Sequence, residues 1–131
     1  MKILKPSDTI TLKSGDIEVD FKPLRYDQSI EINDTIKFRS GDPIIDMAKQ
    51  TSLLIKYAIK EIRGVKDYDD SDIVIKATDG SLNDDDISLA INVLSKTPFL
   101  PPVSYIATAS QLKDFEDITM LVNGKEIKLE K

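Results

Sequence analysis

Two groups of aspartates have the residue type and spacing that most suggest a chemical site. They are Asp67, Asp69, Asp70 and Asp72 in the first group and Asp84, Asp85 and Asp86 in the second. Carboxylates spaced in this way bind calcium in EF-hand loops, which need a glycine at the sixth position and a glutamate at the twelfth. A loop that starts at Asp67 has Asp72 at the sixth position and Thr78 at the twelfth. A loop that starts at Asp79 also lacks the glycine and the glutamate at these two positions. A looser divalent site remains an alternative, but we expect no metal.

A structural explanation covers both acidic groups. Residues 84–86 would lie in the first turn of a helix capped by Ser81 or Asn83, where the helix dipole favours negative charge. The first group predicts a solvated loop, because unpaired charge is costly to bury. Residues 67–86 have a net charge of −7, which leaves +2 for the rest of the chain. We therefore expect an acidic surface with a mainly structural role, and keep mimicry of DNA as an alternative.

The missing residue types exclude most enzyme classes. The 131 residues include no His, Cys or Trp, which removes Ser-His-Asp and Cys-His nucleophiles, imidazole acid–base catalysis and the usual zinc ligands. Carboxylates and lysines can still form an active site, but we expect a protein that is not an enzyme and uses no cofactor. There is no basic stripe for nucleic acid and no membrane-spanning run. The lack of cysteines and of a signal peptide favours the cytoplasm.

The spacing of apolar residues predicts a single α+β domain over residues 1–131, with a β-hairpin near each end and about four helices between them. The first hairpin pairs 9–12 with 17–21, and the last spans 118–130 around Asn123-Gly124, a pair typical of type I′ turns. The remaining predicted elements are helices over 25–38 and 43–63, a strand over 72–77, a helix within 81–99 and a helix over 101–115.

Residues 43–63 give the strongest helix prediction. Asp42 and Pro43 form a helix start signal, apolar residues recur at three- and four-residue steps, and Gly64 follows as a C-cap. In the helix over 25–38, Asp27 is the expected N-cap. We expect both hairpins to meet in one antiparallel sheet that covers the long helix. The side chains expected to face inward are Ile17, Val19, Phe21, Ile127 and Leu129.

The middle of the chain, from about residue 17 to residue 100, resembles the tail assembly chaperones and related small morphogenesis proteins of long-tailed bacteriophages. The resemblance is carried by the phrase Phe21, Lys22, Pro23 and Leu24, by the predicted helix end at 57–65, and by an acidic linker before a helix that ends in "SKTPF". It implies a protein that keeps the tape-measure protein in solution, helps to recruit tail-tube subunits and performs no chemistry. The C-terminal Asn-Gly hairpin lies outside the family pattern.

Two other functions remain alternatives at this point. One is a structural subunit of the tail or of the head–tail connector, and the other is an acidic inhibitor or mimic that binds a host enzyme.

A binding protein needs an accessible apolar surface, and the apolar coverage of 43–63 exceeds one core face. We therefore expect a homo-oligomer or a client interface built from this helix and the fourth one. The candidate partner-binding residues are Ile45, Leu53, Leu54 and Tyr57 in the long helix and Tyr105 and Phe115 in the fourth.

Overall fold

The computed structural model describes residues 1–128 and has the predicted α+β class. Its helices are α1 (Tyr26–Asn33), α2 (Met47–Ala58), α3 (Asp84–Ser95) and α4 (Leu100–Ala109). Its strands are β1 (Ile10–Ser14), β2 (Ile17–Phe21), β3 (Ile36–Arg39), β4 (Asp42–Ile45), β5 (Ile59–Lys66), β6 (Asp72–Lys76), β7 (Thr119–Val122) and β8 (Lys125–Glu126). Within the described residues, no helix is long and apolar enough to cross a membrane.

Six of the strands form one sheet in the order β6-β5-β2-β1-β7-β8, with antiparallel pairing throughout. The two predicted terminal hairpins meet in this sheet because β1 pairs with β7, with Leu12 opposite Met120. The C-terminal turn is also confirmed, since Asn123 and Gly124 have φ angles of 50° and 83°, as a type I′ turn requires. The predicted strand over 72–77 is β6 at the edge of the sheet.

One face of the sheet is buried against the helices. Val19 and Phe21 are completely buried, as predicted, whereas Ile17 and Ile127 are half-buried and Leu129 lies outside the described residues. The core continues into α2, α3 and α4. Their main contributions are Ile55, Ala58, Ala90, Leu94, Val103 and Ile106. The opposite face carries charged residues, because strand alternation places the even-numbered residues of β2 there.

The prediction of one helix over 43–63 is wrong. Residues 42–45 are strand β4, helix α2 occupies only 47–58, and the chain continues directly into strand β5. The helix start signal lies four residues later than expected, since the Asp46 side chain accepts a hydrogen bond from the Lys49 amide at 3.0 Å. Gly64 is not a C-cap but an interior residue of β5, with a φ of 83°.

Two more helix predictions are too long. The segment 25–38 forms a helix only over α1 and then enters β3, and its N-cap is Arg25 rather than Asp27. The fourth helix ends at Ala109, six residues before the predicted end, because Ser110 adopts a left-handed φ of 53° that closes it. The third helix is confirmed, with the Asn83 side chain accepting from the Asp86 amide at 2.8 Å.

Candidate partner-binding surface

A small hairpin formed by β3 and β4 lies between α1 and α2 and pairs as a two-stranded sheet of its own. Its two-residue turn is Ser40-Gly41, with φ angles of 53° and 83°, the conformation that follows the twist of paired strands. Pro43 is compatible with β4 because this strand pairs on one side only. Two-stranded hairpins are marginally stable alone, so this element depends on what it contacts.

The hairpin has one completely apolar face. Cross-strand partners lie on the same face of a sheet, and the register pairs Ile36 with Ile45 and Phe38 with Pro43. The other face carries the pairs Lys37 with Ile44 and Arg39 with Asp42. We call the set Ile36, Phe38, Pro43 and Ile45 the apolar hairpin face.

This face is largely open to solvent. Phe38 is 72% exposed and Ile45 is 46% exposed, while Ile36 is half-buried. A side chain of the size of Phe gains about 1.5–3 kcal/mol when it moves from water into an apolar contact. Covering this apolar face with an apolar partner would therefore be favourable in free energy.

A cleft of about 430 Å³ lies at the base of the hairpin, between α1, α2 and α4. Met47, which follows β4 by two residues and is 66% exposed, lines it. Its apolar lining is completed by Leu24, Ile32 and Leu54. Short polar side chains make up the rest: Ser29, Asn33, Gln50, Thr51, Ser104 and Thr108. Apolar centres with small polar rims suit an amphipathic helix laid into a groove.

The six residues predicted to bind a partner fall into different environments. Ile45 belongs to the apolar hairpin face, and Leu54 lines the cleft but is only 8% exposed. Leu53 is half-buried. Tyr57 is half-buried and donates its hydroxyl hydrogen bond to Glu31 of α1, which raises the pKa of Tyr57. This bond ties α2 to α1.

Tyr105 and Phe115 lie together, away from the cleft lining. The Lys113 ammonium is 5.2 Å from the centre of the Tyr105 ring and 5.6 Å from that of Phe115, within the range of cation–π attraction. Tyr105 is 40% exposed and Phe115 is half-buried. The contribution of α4 to the cleft comes from other side chains on the same helix.

The four residues Phe21 to Leu24, on which the resemblance was based, have a structural role in the fold. Phe21, Pro23 and Leu24 are buried, and Lys22 is half-buried. The Leu24 amide donates to the carbonyl of Ala107 at 2.9 Å, and the Lys22 amide donates to that of Ala58 at 3.0 Å. Residues 21–24 therefore fix the end of β2 against α2 and α4, the two longer of the three helices that line the cleft.

The acidic residues are arranged as loop and helix-cap features. The Asp67 carboxylate accepts from the amides of Asp69 and Ser71 at 2.8 and 3.0 Å, and so closes the turn between β5 and β6. Asp84, Asp85 and Asp86 lie in the first turn of α3. Across residues 1–128, no group of three or more acidic side chains is arranged to hold a metal ion.

A charged cluster on the open face of the sheet was missed from sequence. Arg63 of β5 contacts Asp20 at 2.6 Å, Glu18 at 2.8 Å and Glu61 at 3.1 Å. Hydrogen bonds from Arg63 lower the pKa of Glu18. Burial alone would raise the pKa of Asp20, but hydrogen bonds from Arg63 and Thr11 hold it below its ordinary value. The cluster joins β2 to β5.

Sequence reasoning also missed Phe38, Ile44 and Met47, although the signal was present. "IKF" and "PII" alternate around Ser-Gly, a short turn flanked by β-branched and aromatic residues. Searches against protein-family models, curated proteins and solved structures found no match for this chain.

Proposed function

We propose that the protein is a non-enzymatic assembly chaperone of the kind that acts on tail proteins of long-tailed bacteriophages, working in the cytoplasm of the host cell. The observation that carries the proposal is the apolar hairpin face, which belongs to a separate two-stranded sheet and leaves Phe38 72% exposed. A chaperone needs such a surface, because it must hold a client that would otherwise aggregate. The resemblance over residues 17–100 supplies the client class: a tape-measure protein, with tail-tube subunits as further partners.

The cleft next to the hairpin supports a helical client. A helix about 10–12 Å in diameter inserts one apolar stripe into a groove and leaves its polar side in water. The cleft offers Leu54, Leu24 and Met47 to that stripe and small hydroxyl and amide groups at its margins. In the proposed complex, the apolar hairpin face contacts a further part of the same apolar stripe of the client helix, beyond the cleft.

The hairpin provides a matched pair of substitutions that tests the proposal. Ile45 and Ile44 are adjacent and almost equally exposed, at 46% and 49%, but they lie on opposite faces. Ile45→Lys places a charge in the client contact, whereas Ile44→Lys places it beside Lys37, outside that contact. We expect Ile45→Lys and Phe38→Lys to weaken client binding at least about tenfold, the equivalent of 1.4 kcal/mol, and Ile44→Lys to leave it within about twofold.

The measurement is co-purification and calorimetric titration with the tape-measure protein of the same genome, with circular dichroism as the check on folding. Equal binding by Ile45→Lys and Ile44→Lys would show that the hairpin face is not the client surface. Concentration-dependent sedimentation of the same variants reports whether the free protein also uses this face to form the expected homo-oligomer.

A structural tail or connector subunit is the nearest alternative function. The two roles differ in whether the protein is present in the mature particle, since a chaperone dissociates before assembly is complete. Mass spectrometry of purified virions separates them. Stoichiometric amounts of the chain in finished particles would favour the structural subunit.

A further inference from the structure

We propose that a second site, distinct from the hairpin and its cleft, binds a phosphate group on the open face of the sheet. The site is a cleft of about 350 Å³ at the end of the sheet where β2 ends and β5 begins. Three lysines from three different segments line it: Lys22 just after β2, Lys60 in β5 and Lys76 at the end of β6. Gly80, in the loop that follows β6, forms part of its edge.

The arrangement of the strands explains why the lysines converge. A register shift between Asp20 and Phe21 places Lys60 at a bulge in β5, opposite the end of β2. Bulges redirect side chains relative to regular strand alternation. The Lys60 ammonium then reaches the Thr9 hydroxyl, to which it donates at 2.9 Å. Lys76 joins from the neighbouring strand, where it pairs with Glu61 in the register.

The carboxylates of this cleft neutralise its positive charge only in part, because three lysines line it against Asp20 and Glu61, a net charge of +1. Asp20 and Glu61 also line the cleft, but both are held by the Arg63 guanidinium, at 2.6 and 3.1 Å. The salt bridges among residues 1–128 include none of the three lysines. Burial, together with the positive charges of Arg25 and Lys60, lowers the pKa of Lys22. A bound anion would relieve this repulsion.

A phosphate group meets the requirements of the cleft better than a single carboxylate does. An ammonium group has three donors, and Lys60 directs only one of them to Thr9. The free donors on several lysines suit the tetrahedral set of oxygens of a phosphate, which lysine binds as a point charge. The volume lies at the lower end of the range for small-molecule sites, about 300–1,000 Å³, so the phosphate of a small metabolite or nucleotide fits as well as free phosphate.

The test is a titration of the full chain, labelled with ¹⁵N, with sodium phosphate against sodium chloride at equal ionic strength. We expect saturable shifts of the amides at 22, 60 and 76–80, and no comparable change at the hairpin. A parallel titration with adenosine monophosphate distinguishes the source of the group. Tighter binding of the nucleotide assigns a phosphorylated metabolite, and equal affinity assigns the phosphate group alone.

Two substitutions complete the test. Lys22→Met and Lys60→Met should each weaken phosphate binding at least about fivefold, because each removes a charged donor. Lys13→Met is the matched control, since Lys13 lies on the same sheet face but pairs with Glu18 at 3.5 Å, and it should leave the affinity unchanged. The absence of saturable shifts in the unmodified chain, or an equal loss of affinity in the Lys13 control, would overturn the proposal.

Discussion

Gly64 shows how one residue without a side chain sets the spacing of two strands. A Cβ at this position would lie 1.8 Å from the carbonyl oxygen of Asp16, in the turn that joins β1 to β2. Its φ of 83° is also unfavourable for any residue with a side chain. The backbone of β5 can therefore approach that turn only because residue 64 is glycine.

Gly64→Ala should destabilise the fold by about 3 kcal/mol or more, since strain and a backbone clash act together. Gly80→Ala isolates the strain, because Gly80 has a φ of 88° but open space around the added Cβ. It should cost only about 1 kcal/mol. Urea denaturation measures both variants. Equal midpoints would mean that the sheet relaxes around the clash at no cost.

Arg63 makes part of the stability depend on pH. The pKa values of Glu18 and Asp20 are lowered in the folded chain from ordinary values of 4.5 and 3.8. A lowered pKa adds stability that is fully present above the ordinary value and is lost as the pH falls below it. The Arg63 contribution therefore decreases as the pH falls below about 4.5 and through the lowered pKa values of the folded chain.

Arg63→Met should destabilise the protein at pH 7 by about 1–2 kcal/mol, a figure reduced by solvent screening of these half-exposed groups. The difference from the unmodified chain should begin to narrow as the pH falls below the ordinary carboxyl values of 4.5 and 3.8, because protonation removes the negative charges that Arg63 contacts. Lys13→Met, which breaks a longer and more exposed pair, should change stability by less than about 0.5 kcal/mol over the same pH range. Thermal melts from pH 3 to pH 7 measure these differences, and a constant Arg63→Met deficit would contradict the assignment.

At the scale of elements, β5 explains the largest error made from sequence. Its buried residues are Ile59 and Ile62, with half-buried Val65 following, so apolar side chains recur every three residues. That spacing is typical of a helix. It arises here because register shifts on both sides of β5 insert extra residues into a strand. Bulges depend on neighbouring strands, so local spacing could not reveal them.

Elements with local signals were predictable. The Asn123-Gly124 turn, the alternation of β1 and β2, and the Asn83 cap each depend on neighbours in sequence, and each is present. The apolar hairpin face had such a signal as well, but the stronger-looking helix pattern of 43–63 concealed β4. The three lysines of the proposed phosphate cleft come from distant segments, and only the sheet brings them together.

At the scale of the whole molecule, the six-stranded sheet separates two kinds of surface. Its helix-covered face holds the core, while the charges of Arg63 and its partners lie on the open face. The hairpin of β3 and β4 belongs to neither layer, since it pairs only with itself and joins α1 to α2. The proposed client surface and the proposed phosphate cleft therefore involve different elements and can be altered independently.

The two basic residues of the hairpin should make it sensitive to trypsin, and client binding should reduce that sensitivity. Lys37 and Arg39 are exposed in β3, one strand of a two-stranded element, and such elements open locally at small cost in free energy. Trypsin should cleave the free chain first after these two residues, and a bound client should slow that cleavage by holding the hairpin closed. Mass spectrometry of a timed digest measures the order of cuts, with Lys76 of the paired strand β6 as the internal reference. The rate of cleavage in the hairpin would then report what fraction of the protein has a client bound.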